Sequence, residues 1–551
     1  MTSPNRHQIK RRLTRKPVQA EKTAHPTKSA AADRLHPVRS EKIPRETVIS
    51  SRNELRLRKD KHSAVADTVA PEFTKTATDR SAVGDLICFC ASLGPQPVPE
   101  EILTKGVEEL GAVLGPKAIN PAAFTALLQE AKRLGLLKRD ADEKTIEIPA
   151  PVRTAINRRM NDATQRRWAE RAVRAVNRAF PNVESSAWQR GERILPQIHI
   201  CLELIDHWAF EFPETAQLLN RAGMYFNERA RYAEAEPLYQ RALAIREKAL
   251  GPAHPRVAAS LNNLAQLYKS QSRYAEAEPL YQRASVIVEQ ACGPDHPQVA
   301  TSLNNLAQLY KNQKRYAEAE PLLQRALAIR EKTFGARHLQ VAVILHNLAQ
   351  LSGEQERYKD AETLYQRVLA IHEKALGPDH LDTALVLSNL AQLYKRQEKY
   401  AQAQPLYQRI LTITEQALGA EHPQVAVALS NLAALYKSQE QYDEAAPLYQ
   451  RALTIVEKAV GPQHQDTAIS LNNLAIVRDN QGKYAEAEPL FKRALAIMEK
   501  TFGPEHPHVA VVLRNYASLL RQTKHEAKAK KLESRAEQIR ATHAQEQSEA
   551  R

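Results

Sequence analysis

The stretch LYKNQKRYAEAEPLLQRALAIREK, residues 309–332, is almost the same as LYKSQSRYAEAEPLYQRASVIVEQ, residues 267–290, which lies 42 residues earlier in the chain. The aromatic residue of YAEA, or of its equivalent, recurs at this interval from Tyr232 to Tyr484, and a degenerate eighth copy has Glu526 in that place. A constant interval of this length indicates a solenoid, in which each unit stacks on its neighbours.

Each unit predicts two helices that form a hairpin. In one unit, apolar residues follow helical spacing along VATSLNNLAQLYKNQ and again along YAEAEPLLQRALAIREK. The phrase GPxHP separates the units, with glycine to end one helix and proline to begin the next. A single hairpin cannot bury its apolar face, so neighbours must stack, and the stack leaves a long groove.

With their wording LNNLAxLY…YxEAEPLYxRAL, these units resemble the long tetratricopeptide repeats of kinesin light chains and of their bacterial relatives. The resemblance covers about residues 214–540. It implies an all-α fold, a superhelical solenoid of about seven 42-residue helical hairpins and a degenerate C-terminal one. It also implies that the first helices line a concave groove.

In the tetratricopeptide pattern, the fifth, sixth, ninth and twelfth positions of the first helix lie at the groove. Amides at these positions can hydrogen-bond to the backbone of a peptide, and lysines offer charge to Asp or Glu side chains or to a C-terminal carboxylate. Two other interpretations stay open: the sixth-position asparagines join adjacent repeats, and the lysines form a solvated face. The candidates are Asn262, Asn263, Gln266, Lys269, Asn304, Asn305, Gln308, Lys311, Asn389, Gln392, Lys395, Asn431, Lys437, Asn472 and Asn473.

Two units depart from the pattern. Ser352 and Gly353 replace the usual Tyr and Lys in one of them, and Arg478 and Asp479 replace them in another, so we expect no groove contacts there. The histidines of GPxHP lie about 8–10 Å apart in neighbouring helices. Zinc needs its nitrogen ligands at about 2 Å, so we interpret these histidines as loop or capping residues and predict no metal site.

The N-terminal part of the chain divides into three predicted regions. Residues 1–80 carry 19 Lys and Arg against 9 Asp and Glu, a large share of the net charge of +15, and we predict a disordered basic arm. Residues 81–162 predict helices, a hairpin around the turn DADEK and a further helix, a winged-helix-like domain. Residues 163–213 predict a helical linker or cap, and residues 541–551 a disordered tail.

Residues 81–213 are similar to the segment that joins the NTPase module to the repeats in bacterial NB-ARC–TPR signalling ATPases. The winged helix of that family usually offers a histidine after the hairpin, near the nucleotide. Pro149 stands in that place here, and no phosphate-binding loop precedes it. The resemblance therefore implies that nucleotide switching has been lost, or that the NTPase lies on another chain.

Catalytic motifs are absent from the sequence: GxxxxGK[ST], GxSxG, HExxH and CxxC do not occur. Four scattered cysteines are too few for a disulfide framework, and no apolar stretch approaches the ~20 residues of a membrane span. We predict a cytoplasmic, non-catalytic scaffold, without cofactor, that binds a protein or an acidic peptide segment in the groove. The alternative is a regulatory module that docks on nucleic acid or on a separate NTPase through the winged helix and the basic arm.

Overall fold

The computed structural model describes residues 81–180 and 188–549. The predicted basic arm of residues 1–80 lies outside this part of the chain. A short 3₁₀ turn covers Val107–Glu109. The remaining N-terminal elements are α1 (Ala82–Ser92), β1 (Val98–Pro99), α2 (Glu100–Lys105), α3 (Gly111–Ile119), α4 (Pro121–Arg133), β2 (Lys138–Asp140), β3 (Thr145–Glu147), α5 (Ala150–Arg159), α6 (Asp162–Ala179) and α7 (Trp188–Trp208).

The N-terminal region contains a small antiparallel sheet with the strand order β1-β3-β2. Strands β2 and β3 form the hairpin that the sequence predicts, and Arg139 pairs with Ile146 across it. The carboxylate of Asp140 closes the turn, because its Oδ1 accepts hydrogen bonds from the N–H groups of Asp142 and Glu143 at 3.0 and 2.9 Å. The sequence analysis missed β1, which is only two residues long. The likeness to a winged helix stays a prediction.

From Pro213 onward the chain forms eight helical hairpins, numbered here as repeats 1 to 8. In each repeat the first helix packs against the second, and the second packs against the first helix of the next repeat. The pairs are α8 and α9 (Pro213–Glu228, Tyr232–Leu250), α10 and α11 (Pro255–Ser270, Tyr274–Cys292), α12 and α13 (Pro297–Asn312, Tyr316–Phe334), α14 and α15 (Leu339–Glu354, Tyr358–Leu376), α16 and α17 (Leu381–Arg396, Tyr400–Leu418), α18 and α19 (Pro423–Ser438, Tyr442–Val460), α20 and α21 (Gln465–Asn480, Tyr484–Phe502), and α22 and α23 (Pro507–Gln522, Glu526–Glu549).

The last helix is longer than expected. It continues to Glu549, into the segment for which the sequence analysis predicts a disordered tail. The stretch AEQIRATHAQEQSE contains neither glycine nor proline and is rich in Ala, Glu, Gln and Arg, all good helix formers. Helix propensity therefore carries this helix beyond the last apolar contact with the array.

The histidines of the GPxHP phrase act as caps. Nδ1 of His254 accepts a hydrogen bond from the backbone N–H of Arg256 at 3.1 Å, which satisfies one of the donors left open at a helix start. The glycine of the same phrase ends the preceding helix with a positive φ, 90° at Gly461. The same N-cap bond is made by His296, His338, His380, His422, His464 and His506.

An ion pair joins the second helices of neighbouring repeats at all seven junctions. In the pair between repeats 5 and 6, Nη1 of Arg451 lies 2.6 Å from the carboxylate of Glu415. The same arginine donates to the carbonyl of Ala420 in the linker between the repeats, at 3.4 Å. The other pairs are Arg283–Glu247, Arg325–Glu289, Arg367–Glu331, Arg409–Glu373, Arg493–Glu457 and Arg535–Glu499.

The hydrophobic core is continuous from α1 to repeat 4. Helix α6 packs against α1, α2 and α8, so the N-terminal region and the first repeat share one apolar interior. From repeat 4 onward, buried residues also form several smaller clusters. Cys90 and Cys201 are fully buried, whereas Cys88 and Cys292 are half-buried. None of the helices within the described ranges combines the length and the apolar character that a membrane span requires.

Candidate partner-binding groove

The groove candidates lie on the first helices, where neighbouring repeats line common cavities. All of them are half-buried or exposed except Asn472, which is buried. One cavity spans repeats 5 and 6 and is lined by Leu385, Ser388, Val427 and Asn431. The next spans repeats 6 and 7 and shares Val427 and Asn431 with it. Because adjoining cavities share residues, they form one surface along the first helices, which we call the groove.

The sixth-position asparagines join repeats at three junctions. Nδ2 of Asn263 donates to Oδ1 of Asn220 in the preceding repeat at 2.9 Å. Matching bonds join Asn347 to Asn304 at 2.6 Å and Asn515 to Asn472 at 3.0 Å. The interpretation that the sixth-position asparagines join adjacent repeats is therefore correct for Asn263, Asn347 and Asn515.

The other sixth-position asparagines behave differently. Nδ2 of Asn389 donates to the carbonyl of Leu385 in its own helix at 2.9 Å. In the described part of the chain, the side chains of Asn305, Asn431 and Asn473 make no hydrogen bond within the protein, and all three are half-buried. Their amides have the donors and acceptors that a peptide backbone would need.

The four groove lysines divide into tethered and untethered ones. Nζ of Lys311 donates to Oε1 of Gln350 in the next repeat at 2.8 Å and lies 3.9 Å from Glu354. Nζ of Lys395 donates to the carbonyl of Ala434 at 3.2 Å. Among the described residues, Lys269 and Lys437 have no such partner, so their charges are open to a ligand.

Burial lowers the pKa of all four groove lysines, because a half-buried ammonium loses hydration. The charge of Lys311 lowers the pKa of Lys269 further, and the charge of Lys437 does the same to Lys395. Lys269 and Lys395 are therefore each repelled by the lysine of the next repeat. An anionic group bound between the two lysines of a pair would relieve this repulsion.

The departure at Ser352 and Gly353 opens a cleft instead of interrupting the groove. Gly353, which stands at the position of the usual lysine, has no side chain and lines this cleft. The cleft has a volume of about 230 Å³. Its walls include Lys311, Gln350, Glu354, Tyr365, Gln392 and Arg396. This repeat therefore has a polar recess with two cations and one carboxylate among its walls, and the absence of groove contacts there stays a prediction.

In repeat 7, where Arg478 and Asp479 replace the usual tyrosine and lysine, a carboxyl group is buried. Asp479 is only 6% exposed, and its Oδ1 has no hydrogen-bond partner among the described residues. Loss of hydration raises the pKa of this side chain to about 6. Arg478, at the tyrosine position, pairs with Glu486 at 3.2 Å.

The sequence analysis missed a row of exposed apolar side chains, which we call the apolar stripe. Its members occupy the second position of the tetratricopeptide pattern in repeats 4 to 8, and between 49% and 64% of each residue is exposed. Their 42-residue spacing was visible in the sequence, but only polar side chains were considered as groove candidates. The stripe consists of Val343, Leu385, Val427, Ile469 and Val511.

Family models place the same residues among known repeats. The model of the nephrocystin-3 TPR domain matches residues 203–340. The model of the tetratricopeptide repeat matches four overlapping stretches, residues 340–416, 382–458, 424–500 and 466–542. No curated protein matches the chain.

Solved structures of similar fold include a signal transduction ATPase with numerous domains (STAND) that carries a tetratricopeptide repeat sensor, from Pyrococcus horikoshii. It is 14% identical with a TM-score of 0.53, over 86% of this chain and 65% of that one, which shows the fold alone. A putative kinesin light chain from Podosopora anserina is 25% identical over 37% of this chain and 98% of its own, with a TM-score of 0.34. BtubC (BKLC) from P. vanneervenii is 25% identical over 43% and 91%, with a TM-score of 0.35.

The 42-residue interval, the stacked hairpins and the two family models agree on one assignment for most of the chain. Residues 203–542 therefore belong to the tetratricopeptide-repeat family.

Proposed function

We propose that this protein is a non-catalytic cytoplasmic scaffold that holds a segment of a partner protein in the groove. The observation that supports this proposal most is the open chemistry of the groove. Amides, two untethered lysines and large apolar side chains meet solvent there, whereas the second helices tie their arginines to carboxylates at every junction. Exposed polar and apolar groups in one continuous groove are typical of a surface that recognises another molecule.

The groups in the groove favour an acidic segment. Lys269 and Lys437 offer unpaired ammonium groups, and the cleft at Gly353 adds Arg396. Asn431 and Asn473 offer amides to the backbone of the same segment. A ligand that carries Asp or Glu side chains at intervals would meet charge and hydrogen-bonding groups together.

The proposal is tested by selection of binders from a displayed library of random peptides on the full chain. Lys269→Glu and Lys437→Glu reverse charges that have no partner within the protein, so the fold should survive them. We expect the selected peptides to be acidic and to bind the double variant at least about tenfold more weakly. Lys500→Glu, on a second helix, is the matched control. Equal affinity for wild type, double variant and control would contradict binding in the groove.

A second candidate is a regulatory module that acts on a separate NTPase or on nucleic acid. It is favoured by the fold likeness to the STAND ATPase, which extends over the N-terminal region as well as the array. Salt-sensitive binding to DNA that disappears when residues 1–80 are deleted would favour nucleic acid. Retention of a purified NTPase on the immobilised chain, unaffected by Lys269→Glu and Lys437→Glu, would favour an ATPase partner.

A further inference from the structure

The apolar stripe is confined to one part of the array. From repeat 4 to repeat 8 the second position of the pattern carries the five apolar residues of the stripe, all of them about half exposed. In repeats 1 to 3 the same position carries Gln217, Ala259 and Thr301. Exposed apolar residues scattered singly need no explanation, but five at one position of successive repeats form a continuous row. The row makes the groove more apolar in repeats 4 to 8 than in repeats 1 to 3.

Chemical groups of different kinds follow one another from one edge of the groove to the other, in full in repeat 5 and in part in repeats 6 and 7. Asp382 and Asp466 lie three residues before Leu385 and Ile469, and each lines the same cavity as its neighbour in the stripe. Ten residues beyond Leu385, at the other edge, lies Lys395. Ten residues of helix correspond to about 15 Å. In repeat 5 an acidic edge, the apolar row, a polar floor and a cationic edge therefore follow one another over about 20 Å. Repeat 6 has Gln424 at the acidic edge, and repeat 7 has the buried Asp479 in place of the lysine.

Apolar groups also widen the row at the junction of repeats 6 and 7. Val460, at the end of a second helix, is 42% exposed and lines the same cavity as Val427 and Ile469. Ala434 and Ile476 replace the glutamine of the ninth position in these two repeats. The surface here can bury more apolar area than in the first repeats, where glutamines fill the ninth position.

We propose that repeats 5 to 7 dock an amphipathic helix of a partner, with its apolar face on the stripe and an acidic flank towards Lys395 and Lys437. This inference rests on the proposed function and names the kind of segment that the second half of the groove takes. The cationic edge complements the acidic flank, and Asp382 and Asp466 complement a basic flank on the opposite side. The order basic, apolar, acidic around the partner helix selects one direction of docking.

The dimensions of the groove fit a helix better than an extended chain. A helix with its side chains is about 10–12 Å in diameter, which fits within the ~15 Å between the stripe and the lysines. Adjacent stripe residues line shared cavities, Leu385 with Val427 and Val427 with Ile469, and seven residues of a helix span about 10.5 Å. One apolar residue per heptad can therefore meet one stripe residue per repeat. In an extended strand, residues on one face recur about every 6.8 Å and lose this register within two repeats.

Three synthetic peptides of about 21 residues, or three heptads, test the inference on the full chain by fluorescence anisotropy. The first places Leu at helical spacing with Glu on one flank and Lys on the other. The second has the same composition with apolar residues in alternation, for an extended segment. The third replaces every Glu of the first with Lys, so that both of its flanks are cationic. We expect the first peptide to bind at least about tenfold more tightly than the other two and to become helical on binding.

Variants of the chain complete the test. Leu385→Ser, Val427→Ser and Ile469→Ser together should weaken binding of the first peptide at least about tenfold. Val286→Ser is the matched control, because Val286 is 54% exposed on a second helix away from the stripe. Lys437→Glu should weaken the first peptide and strengthen the third.

Each contrary outcome has a separate meaning. Tighter binding of the alternating peptide would overturn the helical occupant in favour of an extended one. Equal binding of the first and third peptides would overturn the acidic flank. No binding of any of the three would overturn docking on the stripe, while library peptides that respond to Lys269→Glu would still support the proposed function. Failure of the library selection as well would remove both.

Discussion

The two sides of the repeat array hold their junctions by different means. On the second-helix side, an arginine meets a glutamate of the preceding repeat at every one of seven junctions. On the first-helix side, an asparagine pair joins repeats at three of these junctions, within residues 213–549, all of which the structure describes. The second-helix side pairs its junction charges within the protein, whereas the first-helix side leaves several of its amides and lysines without a partner among the described residues.

The sequences of the repeats also differ between the second-helix side and the first-helix side. The junction arginine is present in each of repeats 2 to 8, and its glutamate in each of repeats 1 to 7. The fifth position of the first helix, in contrast, changes from Asn304 to His346, Ser388 and Arg514. The junction pair is therefore constant while the fifth position varies. The sixth-position asparagine is constant too in repeats 2 to 8, although it bonds to the preceding repeat at only three junctions of residues 213–549.

The largest effect on stability is expected at a linker glycine of the second-helix side. Gly461 has φ 90° and ψ 161°, a region open almost only to glycine. Gly461→Ala should lower the free energy of unfolding by about 1–3 kcal/mol. Gly353→Ala, inside a first helix with room for a methyl group, is the control and should stabilise by about 0.5–1 kcal/mol. Urea unfolding measures the change in the free energy of unfolding for both variants. Equal losses of stability would contradict the difference between the two sides of the array.

A smaller effect is expected at the buried carboxyl of the first-helix side. Asp479→Asn removes a buried charge without a partner and should stabilise the protein by about 1 kcal/mol near pH 7. Because burial raises the pKa of Asp479 to about 6, the folded protein binds more protons than the unfolded chain between pH ~4 and ~6. Wild-type stability therefore gains as the pH falls through this window.

Thermal unfolding of wild type and Asp479→Asn at pH ~7 and pH ~4 tests that sign. We expect the advantage of the variant to shrink at the lower pH, where the wild-type carboxyl is neutral. An advantage that stays constant would show that the charge of Asp479 is not the cause.

Removal of one junction arginine should have a modest effect. Arg451→Ala breaks the ion pair with Glu415, which is partly exposed, so the expected loss is about 0.2–1 kcal/mol and smaller at high salt. Arg514→Ala is the matched control, since Arg514 is exposed on a first helix and has no partner among the described residues. Chemical unfolding at two salt concentrations measures both. A larger loss for Arg514→Ala would reverse the comparison of the two sides.

The smallest effect is expected in the apolar stripe. Val427 is 61% exposed, so Val427→Ser should change the free energy of unfolding by no more than about 0.5 kcal/mol. Equilibrium unfolding followed by circular dichroism provides the measurement. A loss of about 2 kcal/mol would place Val427 in the core and remove it from the groove.

Much of the fold could be predicted from the sequence, because each repeat carries the same pattern of apolar residues that stacking must bury. The constant interval from Tyr232 to Tyr484 and the breakers in GPxHP predicted stacked hairpins, and the solenoid is confirmed. Strand β1 was missed because two residues carry no alternation that could reveal a strand.

The candidate site was only partly predictable, for a physical reason. Position in the pattern predicts where a side chain lies along a helix, but not whether it is already bonded to the next repeat. Lys311 and Lys437 occupy equivalent positions, yet Gln350 accepts a hydrogen bond from the first and nothing in the described chain does so from the second. The stripe was missed because apolar residues in a helix are ordinarily assigned to the core. Only exposure distinguishes Val427 from its buried neighbours.

The ion pair between second helices has a consequence for how such a chain changes over generations. Because every junction uses the same two side chains 36 residues apart, a gain or loss of 42 residues between repeats 5 and 8 rebuilds an equivalent junction at the cut. The ends stay covered, by α6 against repeat 1 and by α23 at the far end. Each added copy would lengthen the apolar stripe by one residue. Gene duplication can therefore adjust the length of helix that the groove accommodates, one heptad at a time.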